Sequence, residues 1–128
     1  MFSSEWYYNL TRPILSPPDW IFAPMWTFLY ILIIIALILY SITPAKNKKY
    51  GYIFFIIQIL LNFSWSPIFF LMQNITLALI VIILLDIFVI LTIRKFYSVS
   101  KISGIILVPY LIWILFATYL NIGYLILN

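Results

Sequence analysis

The chain has 128 residues, of which 66% are hydrophobic and 8% are charged, with seven basic residues, three acidic residues and a formal net charge of +4. A soluble domain carries roughly a quarter charged residues, so this composition excludes a water-soluble globular protein. There is no cysteine and no histidine, which excludes disulfides, thiol-ligated metal and any mechanism that uses imidazole.

Residues 1–19 form an amphiphilic lead-in that ends in Pro17-Pro18-Asp19. Adjacent prolines lack amide donors and disfavour helix at the residue before them, which predicts an irregular segment on the membrane surface. Asp19 is favoured near the positive end of a helix dipole and therefore marks the start of the first helix. The segment has neither the basic start nor the continuous apolar core of a cleavable signal peptide.

Four apolar segments follow and predict an all-α fold, a polytopic membrane helical bundle with four transmembrane helices. Each segment reaches the ~20 residues that a helix needs to cross ~30 Å of hydrocarbon. The predicted helices cover about residues 20–42, 50–72, 75–96 and 102–126 of a single transmembrane domain, residues 1–128. The connections between them are short, so neighbouring helices are expected to be antiparallel.

The basic residues indicate how the bundle is oriented. Residues 41–49 and 94–101 lie on the same face of the bundle and carry six of the seven basic side chains. The positive-inside tendency predicts that both loops are cytoplasmic. The Ile-, Lys- and Asn-rich composition is typical of an AT-rich bacterial genome, so we expect a multi-pass protein of a bacterial cell membrane. The expected partner of the basic face is the lipid bilayer, with its anionic headgroups, and not nucleic acid.

Aromatic and polar residues recur at helical spacing inside three of the predicted helices, where a lipid-facing surface does not need them. The three stripes consist of Phe22, Ala23, Trp26 and Tyr30; of Asn62, Trp65, Ser66 and Phe69; and of Tyr110, Trp113, Ala117, Leu120 and Asn121. A buried amide in hydrocarbon must find a partner. Two interpretations remain open: interhelical hydrogen bonds, worth ~0.6–2 kcal/mol each, or a pocket whose aromatic walls stack a flat hydrophobic ligand.

Asp86 is the only carboxylate inside a predicted span. A charge at that depth is costly, so the group is expected to be protonated, paired or functional. A hydrogen-bonded neutral acid is one interpretation, and proton coupling is another. The second interpretation makes a small proton-coupled multidrug transporter the alternative function, although such carriers usually place their carboxylate in the first helix.

The sequence shows no catalytic constellation. It has no Ser/His/Asp set, no carboxylate pair, no metal-ligating cluster and no glycine-rich phosphate loop, since it contains only three glycines. We therefore predict that the protein is not an enzyme and has neither catalytic nor metal-binding residues.

Three stretches in register resemble the signatures of the translocator protein/tryptophan-rich sensory protein family (TspO/MBR, the peripheral-type benzodiazepine receptors). They are Trp6-Tyr7 through Pro17-Pro18-Asp19-Trp20 to Trp26 and Tyr30; Asn62 with Trp65-Ser66-Pro67; and Pro109-Tyr110-Leu111 with Trp113, Ala117 and Asn121. Together they cover nearly the whole chain.

The resemblance implies a five-helix bundle, often dimeric, that binds porphyrins such as protoporphyrin IX and haem, sterols, and benzodiazepine- or isoquinoline-type drugs. It implies no obligatory cofactor, with porphyrin or haem as the ligand. The expected binding residues are Phe22, Ala23, Trp26, Tyr30, Asn62, Trp65, Ser66, Phe69, Leu77, Trp113, Ala117 and Leu120, beneath a lid loop with Pro13, Pro17, Pro18 and Trp20.

The sequence departs from the family pattern at several points. Only five residues precede Trp6, where the family has an entire helix, so one pocket wall is expected to be missing or supplied by a partner subunit. Leu15 and Leu77 stand where tryptophans are usual, and Leu125-Ile126 replaces a Trp-Arg pair. These changes argue against sterol binding and against tryptophan-dependent porphyrin photochemistry.

The sequence as a whole predicts a membrane-embedded binding protein for flat hydrophobic ligands, acting in tetrapyrrole handling, transport or stress signalling. A purely structural membrane subunit is the third class considered. Such a subunit would not need Asn62, Trp65 and Trp113 to face one another.

Overall fold

The computed structural model describes Leu10 and residues 21–128, apart from the side chain of Phe22. Within these residues all regular structure is helical, which confirms the predicted all-α class. The helices are α1 (Phe22–Ile42), α2 (Lys49–Ser66), α3 (Ile75–Val99), α4 (Lys101–Ile106) and α5 (Val108–Leu127), and a π-helical turn (Pro67–Leu71) continues α2. The predicted lead-in, residues 1–19, lies outside the described residues apart from Leu10.

Four helical stretches of the described chain are long and apolar enough to cross a membrane: Ala23–Ile42, Lys49–Leu71, Ile75–Val99 and Lys101–Leu127. This finding confirms the predicted polytopic bundle. A helix satisfies its own backbone hydrogen bonds, which hydrocarbon requires of any spanning segment. The third span runs to Val99, past the predicted end at residue 96, and the fourth consists of α4 and α5.

The helices pack in an order that differs from their order in the chain. α2 lies along α3, α3 packs against α5, and α1 packs mainly against α4 and α5. In contrast, the backbones of α1 and α2 rarely come close to each other, although the two helices follow one another in the sequence. A gap between these two backbones therefore lies on one side of the bundle, and long side chains bridge it: Tyr40 meets Tyr52 with 5.2 Å between the ring centroids, and Tyr30 meets Phe63 at 6.0 Å.

The core is formed mainly by one face of α1 and one face of α3. Leu29, Ile33, Ala36 and Tyr40 of α1 recur at helical spacing and are all buried. The Tyr40 ring stacks on Phe96 of α3 with 4.1 Å between the ring centroids. Interhelical packing of this kind replaces the hydrophobic effect as the main source of association between helices in lipid.

The α3–α4 corner is built by a close approach of backbones. A Cβ on Gly104 would lie 2.6 Å from the Cβ and 2.8 Å from the Cα of Tyr97. Ser103, one residue earlier, donates a 2.7 Å hydrogen bond to the carbonyl of Ala36. Glycine at residue 104 therefore lets α4 fold back on α3 and dock against α1.

Candidate ligand-binding site

A cavity of about 230 Å³ lies between α1, α2, α3 and α5 and is partly open. Its lining is mostly aromatic and aliphatic, with a few polar groups: Trp26, Tyr30, Asn62, Phe63, Trp65, Ser66, Pro67, Ile82, Leu85, Ile114 and Ala117. This composition is typical of small-molecule sites, whose volumes are usually ~300–1,000 Å³. A large ligand therefore has to widen the cavity or insert only one edge.

A directional chain of hydrogen bonds forms the polar edge of the cavity. The Tyr30 hydroxyl donates to Asn62 Oδ1 at 2.6 Å, and Asn62 Nδ2 donates to the Tyr110 hydroxyl at 2.8 Å. Tyr110 donates in turn to Gln58 Oε1 at 2.7 Å. The chain joins α1, α2 and α5 and gives the buried Asn62 amide partners for both its oxygen and its nitrogen. Interhelical hydrogen bonds and a pocket wall, the two sequence interpretations of Asn62, are thus both present.

A second polar contact fixes the opposite aromatic wall. Trp65 Nε1 donates to Asn121 Oδ1 at 2.9 Å, and Asn121 Nδ2 donates to the carbonyl of Ile75 at 3.1 Å. The indole of Trp65 is therefore held from behind, while its ring lines the cavity.

Trp26 supplies the aromatic wall on α1. Its ring lies 5.8 Å from Tyr30 and meets Trp113 of α5 edge to face, with 6.4 Å between the centroids. Trp113 does not line the cavity itself and supports Trp26 from behind. Aromatic pairs in such geometries contribute ~0.5–1.5 kcal/mol beyond the area they bury.

The structure brings about half of the predicted binding residues to the cavity: Trp26, Tyr30, Asn62, Trp65, Ser66 and Ala117. Phe69 and Leu120 are buried instead in a separate apolar cluster with Ala78 and Tyr124. Ala23 is exposed, and Leu77 is half-buried in the first turn of α3. The lid residues Pro13, Pro17, Pro18 and Trp20 lie outside the described residues, as does the side chain of Phe22.

Five lining residues were not among the predicted ones: Phe63, Pro67, Ile82, Leu85 and Ile114. Four of them are apolar residues in apolar helices, and no sequence signal separates them from lipid-facing neighbours. Pro67 is the exception, because a proline inside an apolar helix removes a backbone donor and indicates a local break. The missing amide of Pro67 coincides with the π-helical turn, where Met72 N–H donates to the Pro67 carbonyl at 3.0 Å.

Asp86 lies beside the cavity wall and is 8% exposed. The Thr118 hydroxyl oxygen is 2.7 Å from Asp86 Oδ2 and 2.9 Å from the Ile114 carbonyl, but it has only one hydrogen to donate. A proton on Oδ2 could be donated to Thr118 and would free the Thr118 hydrogen for Ile114. Asp86 Oδ1 is buried and has no hydrogen-bond partner in the described part of the chain.

The chain is similar in sequence to known proteins of one family. The model of the TspO/MBR family matches residues 1–127. The Tryptophan-rich protein TspO of Chlorobaculum tepidum is 44% identical over an alignment of 128 positions, which covers 98% of this chain and 81% of that protein. The Tryptophan-rich sensory protein of Cereibacter sphaeroides is 36% identical over 97% of this chain and 77% of its own length. The human Translocator protein is 31% identical over 91% of this chain and 71% of its own length.

The names of these relatives describe sensory and translocator proteins and not enzymes. Together with the four spans, they support a multi-pass membrane protein with a binding or sensory role. The resemblance identified from the sequence is confirmed, and the chain belongs to the TspO/MBR family.

Proposed function

We propose that the protein binds flat hydrophobic ligands, foremost porphyrins such as protoporphyrin IX and haem, in the cavity between α1 and α2. The observation that carries this proposal is the pairing of Trp26 and Trp65, on different helices, with the polar edge formed by Tyr30 and Asn62. Aromatic faces stack a planar ring system, and hydroxyl and amide groups orient its polar substituents.

The gap between α1 and α2 supplies a route by which a large ring could enter. The cavity of about 230 Å³ accommodates one edge of a macrocycle, and further entry requires α1 and α2 to separate. Because the backbones of these helices rarely come close, their separation breaks mainly side-chain contacts. At the cavity these are the Tyr30–Asn62 hydrogen bond and the contact between the Tyr30 and Phe63 rings.

Quenching of tryptophan fluorescence by protoporphyrin IX tests the proposal. The wild-type protein should quench saturably, and the Asn62→Ala/Trp65→Ala double variant should lose saturable quenching while the other tryptophans still report. Leu60→Ala is the matched control, because Leu60 lies on the same helix and is 60% exposed. If the double variant still quenches saturably and with the wild-type affinity, protoporphyrin IX does not bind in this cavity.

In this proposal the protein acts in tetrapyrrole handling, transport or stress signalling and releases its ligand chemically unchanged. Drug- or sterol-type ligands belong to the same class of flat hydrophobic molecules, and a homodimer is the expected assembly. We also propose that the two basic segments, residues 41–49 and 94–101, face the cytoplasm of a bacterial cell.

A second candidate function, proton-coupled transport of multiple drugs, is favoured by the unpartnered Oδ1 of Asp86. In this mechanism Asp86 binds and releases the coupling proton. Proteoliposomes with an imposed proton gradient should then take up a lipophilic cation such as ethidium, and Asp86→Asn should abolish uptake while porphyrin quenching persists. The absence of gradient-driven uptake by the wild-type protein would exclude this candidate.

A further inference from the structure

A second cavity, of about 290 Å³, lies at the end of α3 and is lined by Leu91, Arg94, Lys95 and Ser98. These residues recur at three- and four-residue spacing and therefore share one face of the helix. Leu91 is the apolar member nearest the middle of the span, and the two cations and the Ser98 hydroxyl lie beyond it. The cavity thus changes from apolar to cationic along the direction in which a membrane changes from hydrocarbon to headgroup.

The charges around this cavity are not balanced by the part of the protein that the structure describes. Asp86 is the only acidic side chain among those residues; it lies about two turns before Arg94 on α3 and accepts a hydrogen bond from Thr118 of α5. The segments of residues 41–49 and 94–101 contribute six basic side chains and no acidic one. An anion from outside the chain would therefore meet an uncompensated positive field.

Arg94 and Lys95 are exposed, and neither head group is hydrogen-bonded to another described residue. Lys48, at the same end of the bundle, differs because its Nζ donates to the Ser41 carbonyl at 2.9 Å. The Lys95 Nζ lies 5.8 Å from the centroid of the Tyr50 ring, which positions the ammonium on the α2 side of the cavity. The head groups of Arg94 and Lys95 thus lie at the cavity and have N–H groups with which a ligand can form hydrogen bonds.

We propose that this cavity binds the phosphate group of an anionic phospholipid. Arg94 and Lys95 donate to the phosphate oxygens, since a guanidinium and an ammonium are the usual partners of that group. The acyl chain runs from Leu91 along the exposed side chain of Ile87, one turn further into the span. This apolar continuation is what a phospholipid uses and a free phosphate ion does not.

Retention of lipid by the detergent-solubilised full chain, measured by native mass spectrometry, tests the proposal. Wild-type protein titrated with phosphatidylglycerol should retain one molecule saturably, and phosphatidylcholine should bind at least several-fold more weakly. Each Lys or Arg near an anionic lipid surface contributes roughly fivefold in affinity. The Arg94→Gln/Lys95→Gln variant should therefore bind phosphatidylglycerol about 10- to 30-fold more weakly.

The matched control is Lys46→Gln/Lys101→Gln, which removes the same charge from exposed positions of the same two basic segments but outside the cavity lining. Its affinity should fall by no more than about twofold. An equal loss in both double variants would overturn the proposal, because general attraction to the basic face would then explain the binding. Full competition by inorganic phosphate at matched concentration would also overturn it, since the apolar part of the lipid would contribute nothing.

Discussion

At the scale of single residues, Tyr110 connects two buried amide side chains of the candidate site, although it does not line the cavity itself. Its hydroxyl accepts from Asn62 and donates to Gln58, and it is fully buried. Loss of that one oxygen removes a partner from two buried amides at once. A buried polar group left without a partner costs more than the net value of the bond it made.

We predict that Tyr110→Phe lowers the free energy of unfolding by roughly 1–2 kcal/mol. This range lies above the net stabilisation by one hydrogen bond between membrane helices and within the cost of leaving a buried amide without a partner. The measurement is reversible unfolding in mixed micelles at increasing denaturing detergent. Tyr97→Phe is the control, because Tyr97 is 47% exposed and the same atom is removed. Equal stability of the two variants would show that the Asn62 and Gln58 amides do not depend on Tyr110.

At the scale of elements, the four spans could be predicted because membrane helices are set by length and hydropathy, which are properties of local sequence. Their packing order could not, because α1 and α2 are adjacent in the chain and yet α1 packs on α4 and α5. The α4–α5 break at Leu107 and the π-helical turn at Pro67–Leu71 modify helices whose composition stays apolar throughout.

The same reasoning explains which site residues the sequence indicated. Tryptophan, tyrosine and asparagine are conspicuous inside an apolar span, so Trp26, Tyr30, Asn62 and Trp65 were found from their type and spacing. Leu85 and Ile114 are chemically like the lipid-facing side chains, and only tertiary packing turns them toward the cavity. Phe69 shares a helical stripe with Trp65, and their ring centroids are 5.3 Å apart. Phe69 belongs to the π-helical turn, however, and is buried in the neighbouring cluster without lining the cavity.

At the scale of the whole molecule, the closeness of helix packing differs from one side of the bundle to another. α3 packs along α2 on one side and α5 on the other, whereas α1 and α2 meet mainly through long side chains. The cavity lies on that weakly packed side, and the Tyr30–Asn62 hydrogen bond crosses it. Opening on this side separates side chains and not closely approaching backbones, so we expect it to cost less than opening elsewhere.

This asymmetry predicts that Tyr30 controls the rate of ligand entry. Tyr30→Phe keeps the aromatic wall and removes the bond across the gap, so the association rate of protoporphyrin IX should rise about threefold, as expected for a membrane hydrogen bond of ~0.6 kcal/mol. Stopped-flow tryptophan quenching measures this rate. Tyr40→Phe is the matched control on the same helix, because it loses the 2.8 Å bond to the Lys48 carbonyl at the far end of α1. An equal acceleration in both variants would indicate general loosening of the bundle, and no acceleration in Tyr30→Phe would mean that ligands enter by another route.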